Sequence, residues 1–263
     1  MMSRLVRVEL LKLRTIRVSF GLLLTSAALT ALFTSLEATR AGNGQSGVAA
    51  LNTASGLSTV TTVTGWSMMF AAVLGVIVAN GEFRHATATL TYLAEPNRAR
   101  VLVAKSLATA LFGSLFGLVS AVIATGVGLA FVAGHGYPVT LSAATMVAHG
   151  AGALLGAALL AAIGVGLGSL IRSQLAGVIG VFVWGLVIES VIGGLFTSIR
   201  PYLPYTAATT LAGIKLGGAA FGPAHNVAGG SPLPIVGAAA LIASVALLIS
   251  AVAGRTTVRR DIT

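Results

Sequence analysis

The stretch LATALFGSLFGLVSAVIATGVGLAF, residues 107–131, runs for 25 residues without a charged side chain. A helix needs about 20 mostly apolar residues to cross the hydrocarbon core of a bilayer. This stretch therefore predicts a membrane-spanning helix. Five other runs meet the same criterion, so we expect an all-α integral membrane protein with six spans. They cover residues 18–35, 57–79, 107–131, 141–171, 175–196 and 233–253.

The composition agrees with a chain embedded in lipid. Of 263 residues, 56% are hydrophobic and 8% are charged, whereas soluble domains carry about 25% charged residues. The net charge is +10, but the basic residues lie at the ends of apolar runs and form no stripe with aromatic side chains. No nucleic-acid partner is therefore predicted. The chain has no cysteine, and its four histidines show no metal-ligand spacing.

The basic residues also predict the orientation. With six spans, 13 of the 16 Lys and Arg residues fall on one side of the membrane. Cytoplasmic loops carry the excess of Lys and Arg, so both termini are expected in the cytoplasm. The larger set is Arg4, Arg7, Lys12, Arg14, Arg17, Arg84, Arg98, Arg100, Lys105, Arg172, Arg255, Arg259 and Arg260, against Arg40, Arg200 and Lys215.

Basic and apolar residues alternate before the first span, in RLVRVELLKLRTIRVSF, residues 4–20. This pattern favours an amphipathic helix at the cytoplasmic interface, where long basic side chains reach lipid phosphates. A basic anchor that only sets topology is the alternative. A cleaved signal peptide is a further interpretation, but TSLEATRA is a poor cleavage site and five more spans follow.

A polar island, GEFRHATATLTYLAEPNRARVLVAK, separates the second and third spans at residues 81–105. We expect a short cytoplasmic helix here, with Pro96 beginning the third helix. Alternating threonines at 87, 89 and 91 suit a strand equally well. The other interpretation is a solvated loop that only supplies positive charge to the cytoplasmic side.

Two motifs carry a resemblance to a known family. VELLKLRT near the N-terminus and the polar island resemble permease subunits of the type-2 class of ATP-binding cassette (ABC) exporters, chiefly at Glu82, Phe83, Arg84, Thr87, Pro96, Arg98 and Lys105. The six-span order and the long segment before the last span are also similar. A large extracellular domain, which related sugar and lipid exporters have, is absent.

The resemblance implies that the island is a coupling helix in a groove of a separate cytoplasmic ATPase. The implied coupling residues are Glu82, Phe83, Arg84, His85, Thr87, Leu90, Tyr92, Leu93, Pro96, Arg98 and Arg100. The chain would be a transport subunit rather than an enzyme. Two ATPase copies would bind ATP and Mg²⁺, and a second permease copy or homologue would complete an exporter in a bacterial plasma membrane. The sequence itself contains no GxxxxGK[ST] loop.

Spans two and five line the substrate route in similar permeases. At three-to-four spacing, Ser58, Thr61, Thr62, Gly65 and Met69 would share one helical face. The alternative is that these hydroxyls bond to their own helix backbone. The candidate route, open to an amphipathic drug, lipid, peptide or natural product, is Ser58, Thr61, Thr62, Trp66, Met69, Trp184 and Glu189.

Glu189 is the one carboxylate predicted within a span, and such residues are functional candidates by default. We expect His149 of span four as its partner at similar depth; contact with water or with Arg200 is the alternative. Residues 200–232, rich in Pro and Gly, predict re-entrant extracellular helices. Three GxxxG pairs, Gly113/Gly117, Gly152/Gly156 and Gly164/Gly168, predict close helix packing.

Two other function classes stay open from the sequence. A proton-coupled secondary transporter would need intramembrane carboxylates as a relay and commonly shows inverted repeats, which are not visible here. A membrane anchor or sensor that transports nothing would use the island to bind a regulatory protein. Binding of an ATPase through residues 81–105 separates these classes from an ABC permease.

Overall fold

The computed structural model describes residues 2–43, 48–84, 95, 97–171, 173–214 and 233–256, and within these ranges all regular structure is helical. Side chains are described for the same residues except 82–84, 98 and 256. The helices are α1 (Met2–Thr15), α2 (Arg17–Arg40), α3 (Ala54–Thr61), α4 (Gly65–Arg84), α5 (Arg98–Gly134), α6 (Ala143–Leu170), α7 (Gln174–Phe182), α8 (Glu189–Leu195), α9 (Pro204–Leu211) and α10 (Ile235–Thr256). A π-helix, Val183–Ile188, joins α7 to α8, and a 3₁₀ turn, Arg200–Tyr202, precedes α9.

The prediction of six spans is confirmed. Six helical segments are long and apolar enough to cross a membrane: Arg17–Arg40, Ala54–Gly81, Ala99–Gly134, Ala143–Leu170, Gln174–Leu195 and Ile235–Arg255. Each overlaps the corresponding predicted run. The protein is therefore a multi-pass membrane protein by length and composition of its helices.

The second span differs from the continuous helix predicted over residues 57–79. It is interrupted between α3 and α4, at residues 62–64. The local sequence, TVTTVT at residues 59–64, consists of six β-branched residues followed by Gly65. Both kinds of residue lower helix propensity. Threonine hydroxyls also compete for backbone carbonyls, so the break follows from the sequence.

The third helix begins at Arg98, not at Pro96. Asn97 caps it, with its side-chain oxygen accepting from the N–H of Arg100 at 3.2 Å, which is the usual role of Asn at a helix N-terminus. The helix has 37 residues, or roughly 55 Å of length. Since a hydrocarbon core is about 30 Å thick, this helix extends beyond the membrane or is tilted in it.

Helix α6 lies at the centre of the bundle and packs against α4, α5, α9 and α10. Its glycines allow this. A side chain at Gly164 or Gly168 would meet the backbone of Ala72 or Val76 in α4, and one at Gly152 would meet the backbone of Leu211 in α9. Such contacts explain two of the predicted GxxxG pairs. Gly113 and Gly117 of α5 approach α6 in the same manner.

We expect Gly164→Ala to lower the free energy of unfolding by about 1–3 kcal/mol, because the added methyl group overlaps the α4 backbone. Gly126→Ala is the matched control, since no atom lies within 4 Å of a side chain added there. It should be neutral or stabilising by up to about 1 kcal/mol. Thermal unfolding in detergent measures both. Equal melting temperatures for the two variants would contradict this packing.

Candidate functional site

A carboxylate cluster forms where the fifth span meets α9, and we call it the carboxylate junction (Met69, Trp184, Gly185, Glu189, Tyr205 and Thr206). Glu189 is 3% exposed and accepts four hydrogen bonds. Its Oε1 accepts from the Trp184 indole and the Tyr205 N–H, both at 2.8 Å. Its Oε2 accepts from the Thr206 N–H at 2.8 Å and the Thr206 hydroxyl at 3.0 Å. Four donors from the protein thus replace the hydrogen bonds that water would give to the carboxylate.

The π-helix places Trp184 beside Glu189. In an α-helix, residues five apart point in different directions, whereas i→i+5 hydrogen bonds stack them one above the other. The Glu189 N–H donates to the Trp184 carbonyl across this turn. The two side chains can therefore meet, and the indole N–H reaches the carboxylate.

Glu189 also caps α9. The residue at the cap position, Leu203, has no side-chain acceptor, and Pro204 at the first helical position has no N–H. The next two N–H groups, of Tyr205 and Thr206, would be unpaired without Glu189. A carboxylate at a helix N-terminus is also favoured by the helix dipole. A side chain from the fifth span therefore provides the cap that α9 lacks.

The predicted Glu189–His149 pair is wrong. The His149 ring packs against Gly213, which has a φ of +76° and ends α9, whereas Glu189 binds the beginning of that helix. The eight residues of α9 separate the two sites by roughly 12 Å. The carboxylate is satisfied by donors much nearer than the imidazole. No described hydrogen bond or ion pair joins Glu189 to Arg200 either, although Arg200 packs its methylenes on Gly193.

Three of the predicted pathway residues meet at the junction: Met69, Trp184 and Glu189. The Met69 side chain fills the space beside Gly185, and the Tyr205 ring lies 3.6 Å from the position of a Gly185 side chain. Met69 and Tyr205 are buried, whereas Trp184 is 44% exposed. Burial raises the pKa of Tyr205 well above its usual range, and the Glu189 carboxylate raises it further. The phenol therefore stays neutral.

The predicted hydroxyl face of the second span is not continuous, because α3 ends before Gly65. Thr61 and Thr62 are 4% exposed and donate to the carbonyls of Leu57 and Ser58. These hydroxyls therefore donate to the backbone of their own helix, as the alternative interpretation predicted. Ser58 is half-buried in α3. Trp66 stacks on Phe33 of α2, with ring centroids 5.1 Å apart.

A second buried cluster lies at the other end of the bundle, and we call it the N-terminal ion cluster (Glu9, Lys12 and Lys105). Glu9 of α1 accepts from Lys105 of α5 at 2.8 Å and from Lys12 at 2.6 Å. The Glu9 and Lys105 side chains are each 6% exposed, whereas that of Lys12 is 41% exposed. Leu13 is buried beside them, so α1 lies against α5.

The predicted coupling residues fall largely outside the described residues. His85, Thr87, Leu90, Tyr92, Leu93 and Pro96 are not described, so the short coupling helix stays a prediction. Helix α4 continues through Glu82 and Phe83 to Arg84, and Arg98 begins α5. Arg100 is exposed and lies 3.9 Å from the buried carboxylate of Glu95. No set of three or more His, Asp or Glu residues within the described ranges could hold a metal ion.

Sequence reasoning missed several partners in these clusters. Lys105 belonged to the family motif but was not assigned a contact, and Glu9 was not singled out. A signal existed, since Glu9 is the sole acidic residue among the first 36. No such signal exists for Tyr205 and Thr206, because they bind Glu189 mainly through their backbone N–H groups.

We expect Lys105→Met to lower the free energy of unfolding by about 1.5–3 kcal/mol, since it removes a hydrogen bond to a buried charge. The double variant Glu9→Leu/Lys105→Met should be more stable than Lys105→Met, because it also removes the buried carboxylate, which Lys105→Met leaves with the half-exposed Lys12 as its remaining lysine partner. A double-mutant cycle in detergent measures this coupling. Lys12→Met is the control and should cost less than about 1 kcal/mol, because Lys12 is partly solvated. Additive effects of the Glu9 and Lys105 changes would contradict the pairing.

Comparison of the sequence with models of known protein families gives no match, and a search of curated proteins finds no similar sequence.

Proposed function

We propose that this chain is the membrane permease subunit of an ATP-driven ABC exporter. Two copies, or this chain and a homologue, assemble with two cytoplasmic ATPase subunits in a bacterial plasma membrane. Both termini and the polar island face the ATPases. ATP and Mg²⁺ bind the ATPases, and the permease moves an amphipathic substrate by alternating between inward and outward openings.

The single observation that carries the proposal is the ion pair between Glu9 and Lys105. Glu9 belongs to VELLKLRT and Lys105 ends the polar island, so the two motifs that carry the resemblance are in contact across 96 positions of the chain. A buried ion pair is costly to form and costly to break. It therefore fixes the N-terminal helix to the base of the third span, next to the expected ATPase site.

The interruptions of spans two and five add support. Unwound or π-helical segments within membrane helices occur where protein lines a cavity or a functional site. Here the break at residues 62–64 ends two residues before Trp66, and the π-helix includes Trp184. Both tryptophans were predicted for the substrate route. These two spans are also the ones that line it in similar permeases.

The carboxylate junction favours a permease over a proton-coupled carrier. A proton relay needs a carboxylate that exchanges its proton with water or with a second titratable group. Glu189 instead faces four donors, of which two are backbone N–H groups. That environment suits a fixed structural anion.

We expect Arg100→Glu to weaken binding of the proposed cytoplasmic ATPase partner by at least about tenfold, because an exposed charge at the proposed interface is reversed. Co-purification and substrate-stimulated ATP hydrolysis in lipid vesicles measure binding and coupling. Arg40→Glu, which reverses an exposed charge at the end of α2 on the predicted outer side of the membrane, is the matched control and should retain both. An unchanged melting temperature shows that either variant is folded.

Two results would overturn the proposed function. One is that the wild-type chain, purified from its native membrane under mild conditions, carries no nucleotide-binding protein. The other is uphill movement of a solute by the purified chain alone, which would show a different energy source.

A further inference from the structure

We propose that Glu189 is a positioning residue that holds α9 to the end of the fifth span, so that α8 and α9 move as one unit about the π-helix. The inference concerns the resting membrane protein and does not depend on ATP-driven transport. It assigns to Glu189 a mechanical task in place of substrate contact or proton transfer.

The contacts of α9 show why one carboxylate can hold it. The helix has eight residues, and an isolated helix of that length is unstable in water. Leu203, at the cap position, has no side-chain acceptor, and Pro204 has no N–H. Glu189 therefore supplies the acceptor for the first N–H groups of α9. The Thr206 hydroxyl and the Trp184 indole complete the set of donors. Removing the carboxylate therefore leaves one buried and one partly buried N–H group without acceptors.

The surface of α6 under α9 allows movement. Gly152 and Gly156 bring the backbones of Leu211 and Ala208 against α6 without interlocking side chains on that helix. Sliding of packed helices is a common form of conformational change. Helix α9 also packs along α10, and the His149 ring of α6 lies against Gly213 just beyond its end. The carboxylate junction is the polar contact that connects the beginning of α9 to the fifth span.

The π-helix supplies the hinge. It interrupts the regular hydrogen-bond ladder immediately before Glu189, with α-helix on either side. Bends in helices concentrate at such interruptions. Val183, Trp184 and Val187 are each partly exposed, so one face of this segment is not packed against the described part of the chain. A bend there displaces α8, and Glu189 carries α9 with it.

The chemistry predicts which substitutions release α9. Glutamine has the shape of glutamate but presents one oxygen and one NH₂ group, so one of the N–H donors of α9 would face another donor. Trp184→Phe removes a single donor and keeps both backbone contacts. Glu189→Gln should therefore release α9, and Trp184→Phe should have a smaller effect.

The natural absence of cysteine makes the test direct. Thr209→Cys places a thiol in α9 at a position that is 7% exposed, and Thr34→Cys places one at a fully buried position in α2. Both are labelled in lipid vesicles with a membrane-impermeant thiol reagent, without any ATPase. We expect Glu189→Gln to raise the labelling rate at position 209 by about tenfold and to leave position 34 unchanged. Trp184→Phe should raise it by less than threefold.

The controls separate release of α9 from general loosening. Glu37→Gln removes another carboxylate near the end of a span and should change neither rate. The proposal is wrong if Glu189→Gln leaves labelling at position 209 unchanged. It is also wrong if labelling at positions 209 and 34 rises together, since that pattern reports loss of the whole fold.

Discussion

Every polar group that enters the hydrocarbon core must find its partner inside the protein, because lipid offers none. This constraint explains the two clusters at opposite ends of the bundle. At one end Glu189 receives four donors, and at the other Glu9 receives two lysines. In each cluster the acid also accepts from a second helix: Glu9 accepts from Lys105 of α5, and Glu189 accepts from Tyr205 and Thr206 of α9. These hydrogen bonds and ion pairs thus connect helices that have few interlocking side chains.

The packing of α6 complements these connections. Glycine and alanine at its contacts bring backbones together, so close approach rather than large side chains holds α4, α5 and α9 around it. A bundle of this kind has contacts that can slide and a small number of charged contacts that cannot. The charged contacts lie at the beginning of α5 and at the beginning of α9.

Much of the fold was predictable because membrane spanning requires long apolar runs, and those are visible in any single sequence. The glycine pairs indicated close packing for the same reason. What the sequence did not show depends on tertiary geometry. The break at residues 62–64 has a local cause in TVTTVT, but an uninterrupted apolar run predicts a continuous helix. The π-helix has no clear local signal, and without it Trp184 and Glu189 point apart. Two of the donors to Glu189 are backbone N–H groups, and no residue type in the sequence marks such donors. For this reason the prediction of His149 as its partner was wrong.

The account rests on one orientation, with the polar island on the cytoplasmic face beside α1. Single cysteines at Ala99, at the start of α5, and at Val139, between α5 and α6, test it in intact cells, because both positions are exposed and the chain has no other cysteine. An impermeant thiol reagent should label Val139→Cys from outside and should label Ala99→Cys only after the cells are opened. Labelling of Ala99→Cys in intact cells would contradict the account, since no cytoplasmic ATPase could then reach the island.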